Sequence, residues 1–553
     1  MIRHDLTALV AEAVQQAQIQ GLLPELAIPD SPVERPQNPE HGDYASTLPL
    51  KLARSARMAP MAIAEAVRGR LPASPAIGSV TVAPPGFINF TLDPIWLSQQ
   101  VNVIVDQAAG YGSVDYGRGT RVQLEFVSAN PTGPLHVGHG RGAVLGSALA
   151  SLLAAAGFQV HREYYINDTG NQIEVFQRSV WARYLQALGE DVAFPEDGYG
   201  GPYLIDLAAD VVAQEGDRYR ALGEQEGRAA LTRLGMSRMM DTIRADLGDL
   251  GVHFDTWFSE SSLYQDGAYE TVISRLGAGG HLVEKAGAKW FQSTALGEDK
   301  DNVLVRSTGV PTYFASDIAY HYDKFERRAF PRAINVWGAD HQGHVSRVKA
   351  AISALGIEPS RLHVVISQLV TLKRGNEVVR LSKRAGDIIA LREVLDEVGA
   401  DACRFFFLSR SADSQMDFDL ELAKRQSNEN PVYYVQYAHA RIASVLRNAG
   451  ERGIAWSGAR VELLQHEAEQ ALIRKMLTLP ELIETAAEAL APHLLPHYAM
   501  ELATAFHNFY EKCRIISEED EPITAARLKL AEATKIVLVR TLTLMGMSAP
   551  ERM

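Results

Sequence analysis

The chain has 553 residues, too many for one hydrophobic core, so several domains are expected and one of them can enclose a catalytic site. Its 46% hydrophobic and 22% charged content is ordinary for a soluble globular protein and excludes a disordered or fibrous chain. A formal net charge of −13 excludes a uniformly basic nucleic-acid coat, so any RNA contact must rest on local patches such as Lys424-Arg425 and the stretch from Arg441 to Arg447.

The two cysteines, Cys403 and Cys513, stand far apart without metal-type spacing, which fits a reducing compartment. Met1-Ile-Arg-His-Asp-Leu6 lacks a signal-type apolar core, and the longest apolar run, after Arg141, is broken by Gly146 and Ser147. No membrane association is expected, and a cytoplasmic location is.

Asp5 to Gln18 and Met58 to Leu71 alternate apolar and polar residues at helical spacing, and Ile77 to Leu92 reads as β structure broken by Pro84-Pro85-Gly86. Together they predict a small α+β domain over 1–110. Tyr111 to Thr120, rich in Gly, reads as the linker out of it.

Arg121 to Ser128 is apolar enough for a buried strand, and Ala143 to Ala156 has helical composition. The Pro- and Gly-rich stretch between them is a strand-to-helix turn carrying His136 and His139. A helix N-terminus offers unpaired backbone N–H groups and partial positive charge, to which the imidazoles add donors about one turn apart. Gly138, Gly140 and Gly142 would let a nucleotide lie close to the backbone. The stretch reads as a triphosphate cradle. A zinc site would want a Glu between i, i+4 histidines and a third ligand. A dinucleotide site fits better, since Gly138-His-Gly140-Arg-Gly-Ala143 is followed about 20 residues later by Glu163, but Ser128 to Leu135 make the turn too long. A histidine-bearing turn without ligand is the bland reading.

Phe158 to Ile166 predicts the next strand, ending in Asn167-Asp-Thr-Gly-Asn171, a polar turn at a strand's C-terminal edge that equally suits a helix cap. Trp181 to Leu250 is mostly helical around a Gly198-Tyr-Gly-Gly-Pro202 interruption, an insertion over about 175–250. The second half resumes near Val252 to Trp257; Trp290 to Val305 suggests paired strands, Tyr313 to Tyr322 a helix, and Ile334 to Gly338 a strand entering a second Gly- and His-bearing turn, Ala339 to His344. Repetition of such a turn is the mark of a doubly wound α/β nucleotide fold with a parallel sheet.

Leu369 to Val379 predicts a hairpin around Gly375-Asn376 that delivers the basic loop Arg380-Leu-Ser382-Lys383-Arg384. From Leu391 onward the pattern is helical, so a catalytic domain over 111–395 and an α-helical bundle over 396–553 are expected. Tyr433, Tyr434 and Tyr437 could stack on bases, or form core with hydroxyls at the rim.

Pro131-x-Gly-x-x-His136-Val-Gly-His139 resembles the "HIGH" signature of class I aminoacyl-tRNA synthetases, and Arg380-Leu-Ser-Lys-Arg384 resembles their "KMSKS" signature, keeping its serine and second lysine. Glu125-Phe-Val-Ser-Ala-Asn130-Pro-Thr-Gly-Pro134, Pro39-Glu-His-Gly-Asp-Tyr-Ala45, Gly86-Phe-Ile-Asn-Phe90, the run from Asn428 to Arg441 and the closing Pro550-Glu-Arg-Met553 resemble blocks of arginyl-tRNA synthetases along nearly the whole chain. The resemblance implies an arginine-tRNA ligase, the simplest reading of a chain whose two signatures both survive, with ATP as substrate accompanied by Mg2+ and no dedicated metal cage. It implies that His136, His139 and Lys383 are catalytic, and that Gly138, Gly140, Gly338, Asp340, Ser382 and Lys383 contact ATP. Glu125 and Asp317 would take the arginine guanidinium, with Ser128 and Tyr313 beside them and Asn130 on the α-amino group. The amino-terminal domain would touch the outer corner of tRNA(Arg), and Tyr434, Tyr437 and Met553 would contact tRNA in the bundle. A monomer is expected. A small-molecule nucleotidyltransferase on the same fold, or a non-catalytic RNA-binding relative, are the alternatives.

Overall fold

The computed structural model describes residues 1–375, 377–379 and 389–553. Its first helix, Ile2–Ile19, buries Ile2, Leu6, Val10, Ala13, Val14 and Ala17 along one stripe, the helical spacing visible in the sequence. Strands Ile77–Ala83 and Phe87–Leu92 form an antiparallel hairpin, joined on its far side by Tyr44–Ser46. This unit leans on the carboxy-terminal helices through Arg3–Glu484 at 2.9 Å, Arg35–Glu481 at 3.0 Å and Arg474–Asp43 at 2.7 Å.

The central sheet is parallel, with strands β1 (Arg121–Glu125), β2 (Gln159–Ile166), β3 (Thr256–Ser259), β4 (Arg332–Gly338) and β5 (Leu362–Ser367) in the order β5-β4-β1-β2-β3. Winding runs outward in both directions from the β1/β4 pair, so the crevice at their carboxyl ends is where ligands of such sheets bind. Helix α1 (Val137–Ala155) follows β1, helix α2 (Tyr313–Tyr322) precedes β4, and helix α3 (Val345–Ala354) follows it. A Cβ at Gly146 would stand 2.2 Å from Phe126, which is why α1 carries glycine where it crosses that ring.

Between β2 and β3 lies the helical insertion, led by Asn171–Ala187, Pro202–Glu215 and Glu224–Asp249. Leu282–Lys285, Ala288–Phe291 and Asn302–Val305 make a separate antiparallel sheet. Val370–Arg374 and Glu377–Val378 pair as the expected hairpin. Beyond Pro431 the long helices Pro431–Glu451, Leu494–Lys512 and Glu521–Leu544 pack as a bundle.

Four local details differ from the sequence reading. Strand β1 stops at Glu125 rather than Ser128, because Val127 and Ser128 adopt left-handed φ of 71° and 46°. Helix α1 starts at Val137, six residues before the alanine-rich run, because His136 caps it. Helix α2 continues into one π-helical turn, Asp323–Arg327. Met416–Asp419, in a stretch read as helical, is a strand parallel to Val370–Lys373, so the chain beyond 395 completes the small sheet ahead of the basic loop.

Candidate active site

The two turns at the switch point face each other. In the first, His136 Nδ1 accepts from the backbone N–H of Gly138 at 3.1 Å and of His139 at 3.3 Å, while His139 Nδ1 accepts from the His136 N–H at 3.3 Å. Val137 N–H goes to Ile389 O and Gly140 N–H to His136 O, so the free backbone donors expected at this helix start are already bonded. The donors still open at this helix start are therefore those on the rings. The rings stack at 3.6 Å between centroids. Burial lowers both imidazoles, His139 to about 3 with help from His136, while Asp340 on the second turn partly opposes the shift of His136. A neutral imidazole whose Nδ1 accepts carries its proton on Nε2, so each ring presents one Nε2–H donor.

The signature glycines divide in use. A Cβ at Gly140 would lie 2.6 Å from Leu391 Cδ1, so its bareness serves packing against the helix Leu391–Val398. At Gly142 a Cβ would meet nothing within 4 Å. His136 also forms a β-bridge with Ala390, which fastens the first signature to the chain just past the second. Arg380, Ser382 and Lys383 lie outside the described residues. In the second turn, a Cβ on Gly338 would meet Asp340 Oδ1 at 2.7 Å, and the Asp340 side chain is exposed, 3.4 Å from His341.

The other side of the crevice is built from buried charges. Glu125, at the end of β1, accepts from Lys324 Nζ at 2.6 Å and from Ser128 Oγ at 3.1 Å. Ser128 Oγ in turn accepts from Tyr165 N–H at 3.2 Å, a use for the strained backbone at Val127 and Ser128. Asp317 Oδ2 is 2.6 Å from His344 Nε2. Burial raises the Asp317 carboxyl despite that contact, and raises Glu260 beside it. The buried Tyr165 hydroxyl has no hydrogen-bond partner among the described residues, and the charges of Glu260, Asp317 and Glu125 all reach it. Tyr313 stays 49% exposed and feels Asp317 first, then Glu125 and Glu260. Glu125, Asp317 and Tyr313 thus line one acidic recess. Asn130 bonds Gln172 across the turn entrance.

The chain is matched by three family models: the arginyl tRNA synthetase N-terminal domain over residues 4–92, the catalytic domain of class I (R) tRNA synthetases over 100–417, and the DALR anticodon binding domain over 435–553. It is 55% identical over 552 residues to an arginine–tRNA ligase of Dehalococcoides mccartyi (strain CBDB1), covering 100% of this chain and 99% of that protein. The chain belongs to the arginyl-tRNA synthetase family. An arginine–tRNA ligase of Heliobacterium modesticaldum is 49% identical, again over 100% of this chain and 99% of the relative. The solved arginyl-tRNA synthetase of Thermus thermophilus superposes with a TM-score of 0.78 at 25% identity, covering 100% of both chains.

Family membership removes the dinucleotide reading, and the geometry gives the reason. Glu163, the acid that reading would place on a ribose, is buried and held by Arg328, Tyr320 and Gln123. Burial alone would raise it, but the nearby His161, hydrogen bonds from Arg328 and the charges of Arg328 and Lys324 hold it well below the usual carboxylate range. Among the described residues no three His, Cys, Asp or Glu side chains are grouped to hold a metal ion.

The sequence reading leaves out Lys324, His344, Glu260 and Tyr165, which stand against the expected site residues Glu125 and Asp317. A signal existed for the first: Asp317, Tyr320, His321 and Lys324 fall at i, i+3, i+4 and i+7, one unusually polar face of an otherwise buried helix. In the bundle, Tyr433 and Tyr437 stack at 5.7 Å, and the Arg441 guanidinium lies 4.6 Å over Tyr437 and 4.9 Å over Tyr510. Tyr434 packs on His507 instead, its hydroxyl 3.3 Å from Thr504 Oγ1. Met553 is 56% exposed. Of the basic patches, Lys424 pairs with Glu397 and Glu421, and Arg425 with Glu429. Both cysteines are buried thiols, Cys403 pushed up to about 12 by burial. No described helix is long and apolar enough to cross a membrane.

Proposed function

We propose that the chain is an arginine–tRNA ligase that activates L-arginine with ATP and transfers it to tRNA(Arg). The observation that carries this reading is the pairing, across one crevice, of two neutral Nε2–H donors with an acidic recess. In the activating step the arginine carboxylate attacks the α-phosphorus of ATP and expels pyrophosphate. The carboxylate is already ionised, so catalysis is positioning and charge stabilisation rather than general-base chemistry.

His136 and His139 donate to the phosphates, Gly138 and Gly140 line their approach, and Gly338 and Asp340 take the ribose. Ser382 and Lys383 close on the pyrophosphate as its charge develops. Magnesium enters with ATP as part of the substrate. Asp317 and Glu125 receive the guanidinium, since a planar, permanently charged fork is costly to desolvate without carboxylates. Ser128 and Tyr313 flank it, and Asn130 holds the α-amino group. Residues 1–110 contact the outer corner of tRNA, 111–395 carry the chemistry, and 396–553 read the anticodon with Tyr434, Tyr437 and Met553. Action as a monomer in the cytoplasm belongs to the same reading.

The test is ATP consumption and acid-stable charging of total tRNA with each amino acid in turn. Arginine alone should support both. Turnover with another amino acid, or adenylation of a small molecule without tRNA charging, would overturn the reading.

A further inference from the structure

Among the described residues of the acidic wall, Lys324 is a basic side chain completely closed to solvent, 0% exposed. It sits in the π-helical turn after α2, a feature that often marks functional sites. Its ammonium has three protons and three destinations. One goes to Glu125 Oε2 at 2.6 Å, one to Asn335 Oδ1 at 2.9 Å, and the Tyr320 ring lies 4.1 Å away.

Those partners span the switch point. Glu125 and Asn335 are register partners on the adjacent strands β1 and β4, so Lys324 ties the two halves of the sheet at the mouth of the crevice. Beyond Asn335 the contacts continue. Asn335 Nδ2 donates to His321 Nε2 at 2.9 Å, and His321 Nδ1 donates to the Asp317 carbonyl oxygen at 2.7 Å. The tautomer follows, because Nε2 accepts and Nδ1 must hold the proton. One hydrogen-bonded chain therefore connects the Glu125 carboxylate with the backbone of Asp317.

Electrostatics requires such a group. Beyond burial, Glu125 helps to raise the Asp317 carboxyl and Asp317 helps to raise that of Glu260, the mark of like charges gathered in one place. A fixed internal cation matches one of them permanently and aims its oxygens. A buried ammonium is itself unfavourable unless its partners are placed as they are here.

We propose that Lys324 is a positioning residue for arginine: it holds the Glu125 carboxylate in its binding orientation and, through Asn335 and His321, fixes the wall that also carries Asp317. The proposal rests on the reading above that Glu125 contacts the substrate. Lys324 touches neither arginine nor ATP; it acts through Glu125.

The experiment measures KM for arginine, ATP and tRNA, and kcat, for the full chain and for Lys324→Met, Lys324→Gln, Glu125→Gln and the double variant Glu125→Gln/Lys324→Met. Lys324→Met should raise the arginine KM by about tenfold or more, the scale of a lost charge-assisted contact, with the ATP KM changed less than about twofold. Lys324→Gln, which can still donate to Glu125, should fall between it and the parent. The double variant should be no worse than Glu125→Gln alone, because both changes remove one interaction. It leaves neither charge unpaired in the interior, so it reports even where Lys324→Met does not fold. Effects that add in the double variant, or equal losses for arginine and ATP, overturn the role of Lys324. If Glu125→Gln itself leaves the arginine KM unchanged, the substrate contact of Glu125 is what fails.

Discussion

The two walls of the crevice solve opposite electrostatic problems with opposite means. Among the described residues the phosphate wall is neutral: stacked imidazoles, lowered by burial, offer dipoles and N–H groups without charge, and on the proposed reading its cation, Lys383, acts only as charge develops. The amino-acid wall instead carries a buried ion pair, Glu125 with Lys324, and sets Asp317 Oδ2 against His344 Nε2. A cation fixed on the phosphates throughout would bind substrate and transition state alike and gain little rate, whereas the proposed Lys383 would act only as charge develops. Arginine, on the proposed reading, arrives as a bare cation and needs carboxylates aimed before it comes. Neutral donors with a late cation thus suit the side where charge shifts during reaction, and preset carboxylates the side where it does not.

The largest effect should come from the phosphate wall. His139→Ala and Lys383→Ala should each lower kcat by roughly 10²-fold or more while the ATP KM changes little, because they act on charge present only in the transition state. Single-turnover pyrophosphate release would measure this, and normal charging by either variant would break the contrast between the walls.

Asp317→Asn probes the charged wall and should show the reverse pattern. The arginine KM should rise about tenfold to a hundredfold, corresponding to roughly 1.5–3 kcal/mol for a charge-assisted contact, with kcat at saturating arginine and the ATP KM nearly unchanged. Steady-state titrations of each substrate decide it; parallel losses for both would mean that the walls are not separable.

The smallest effect is on stability against pH. His139 is held at about 3 in the folded chain, against 6.5 for an ordinary imidazole. A depressed folded value means that protonation favours unfolding. The contribution is fully present above pH about 6.5 and lost as pH falls toward about 3. Melting temperature should therefore decline between pH 6.5 and 4, and decline less steeply in His139→Asn, by roughly a few degrees. An identical slope in both proteins would show that the imidazole is not held neutral by the fold.

Much of this was legible in residue order. The amino-terminal hairpin around Pro84-Pro85-Gly86, helix α2 from Tyr313 to Tyr322 and the insertion between β2 and β3 follow periodicity and turn residues closely. Other parts were not. A β-branched Val127 in a left-handed conformation contradicts its local preference, and a histidine is not among the usual helix caps, so the ends of β1 and α1 were misjudged. Lys424 reads as part of a free basic patch, but the fold brings to it Glu397, 27 positions away, beside the local Glu421 three residues before it.

By itself the sequence determined most of the order of elements, though not the strand Met416–Asp419, together with the two strand-to-helix turns and the positions of the signature residues, because hydrophobic period, glycine and proline act over a few neighbours. Only the tertiary structure decided which charges meet. Glu125 and Lys324 are 199 positions apart and Glu163 and Arg328 are 165 apart. Nothing local distinguishes a buried, matched carboxylate from a solvated one. The difference arises when parallel strands set Glu125 against Asn335 and the π-helical turn drives an ammonium between them, since removing charge from water is tolerable only where a partner is already in place.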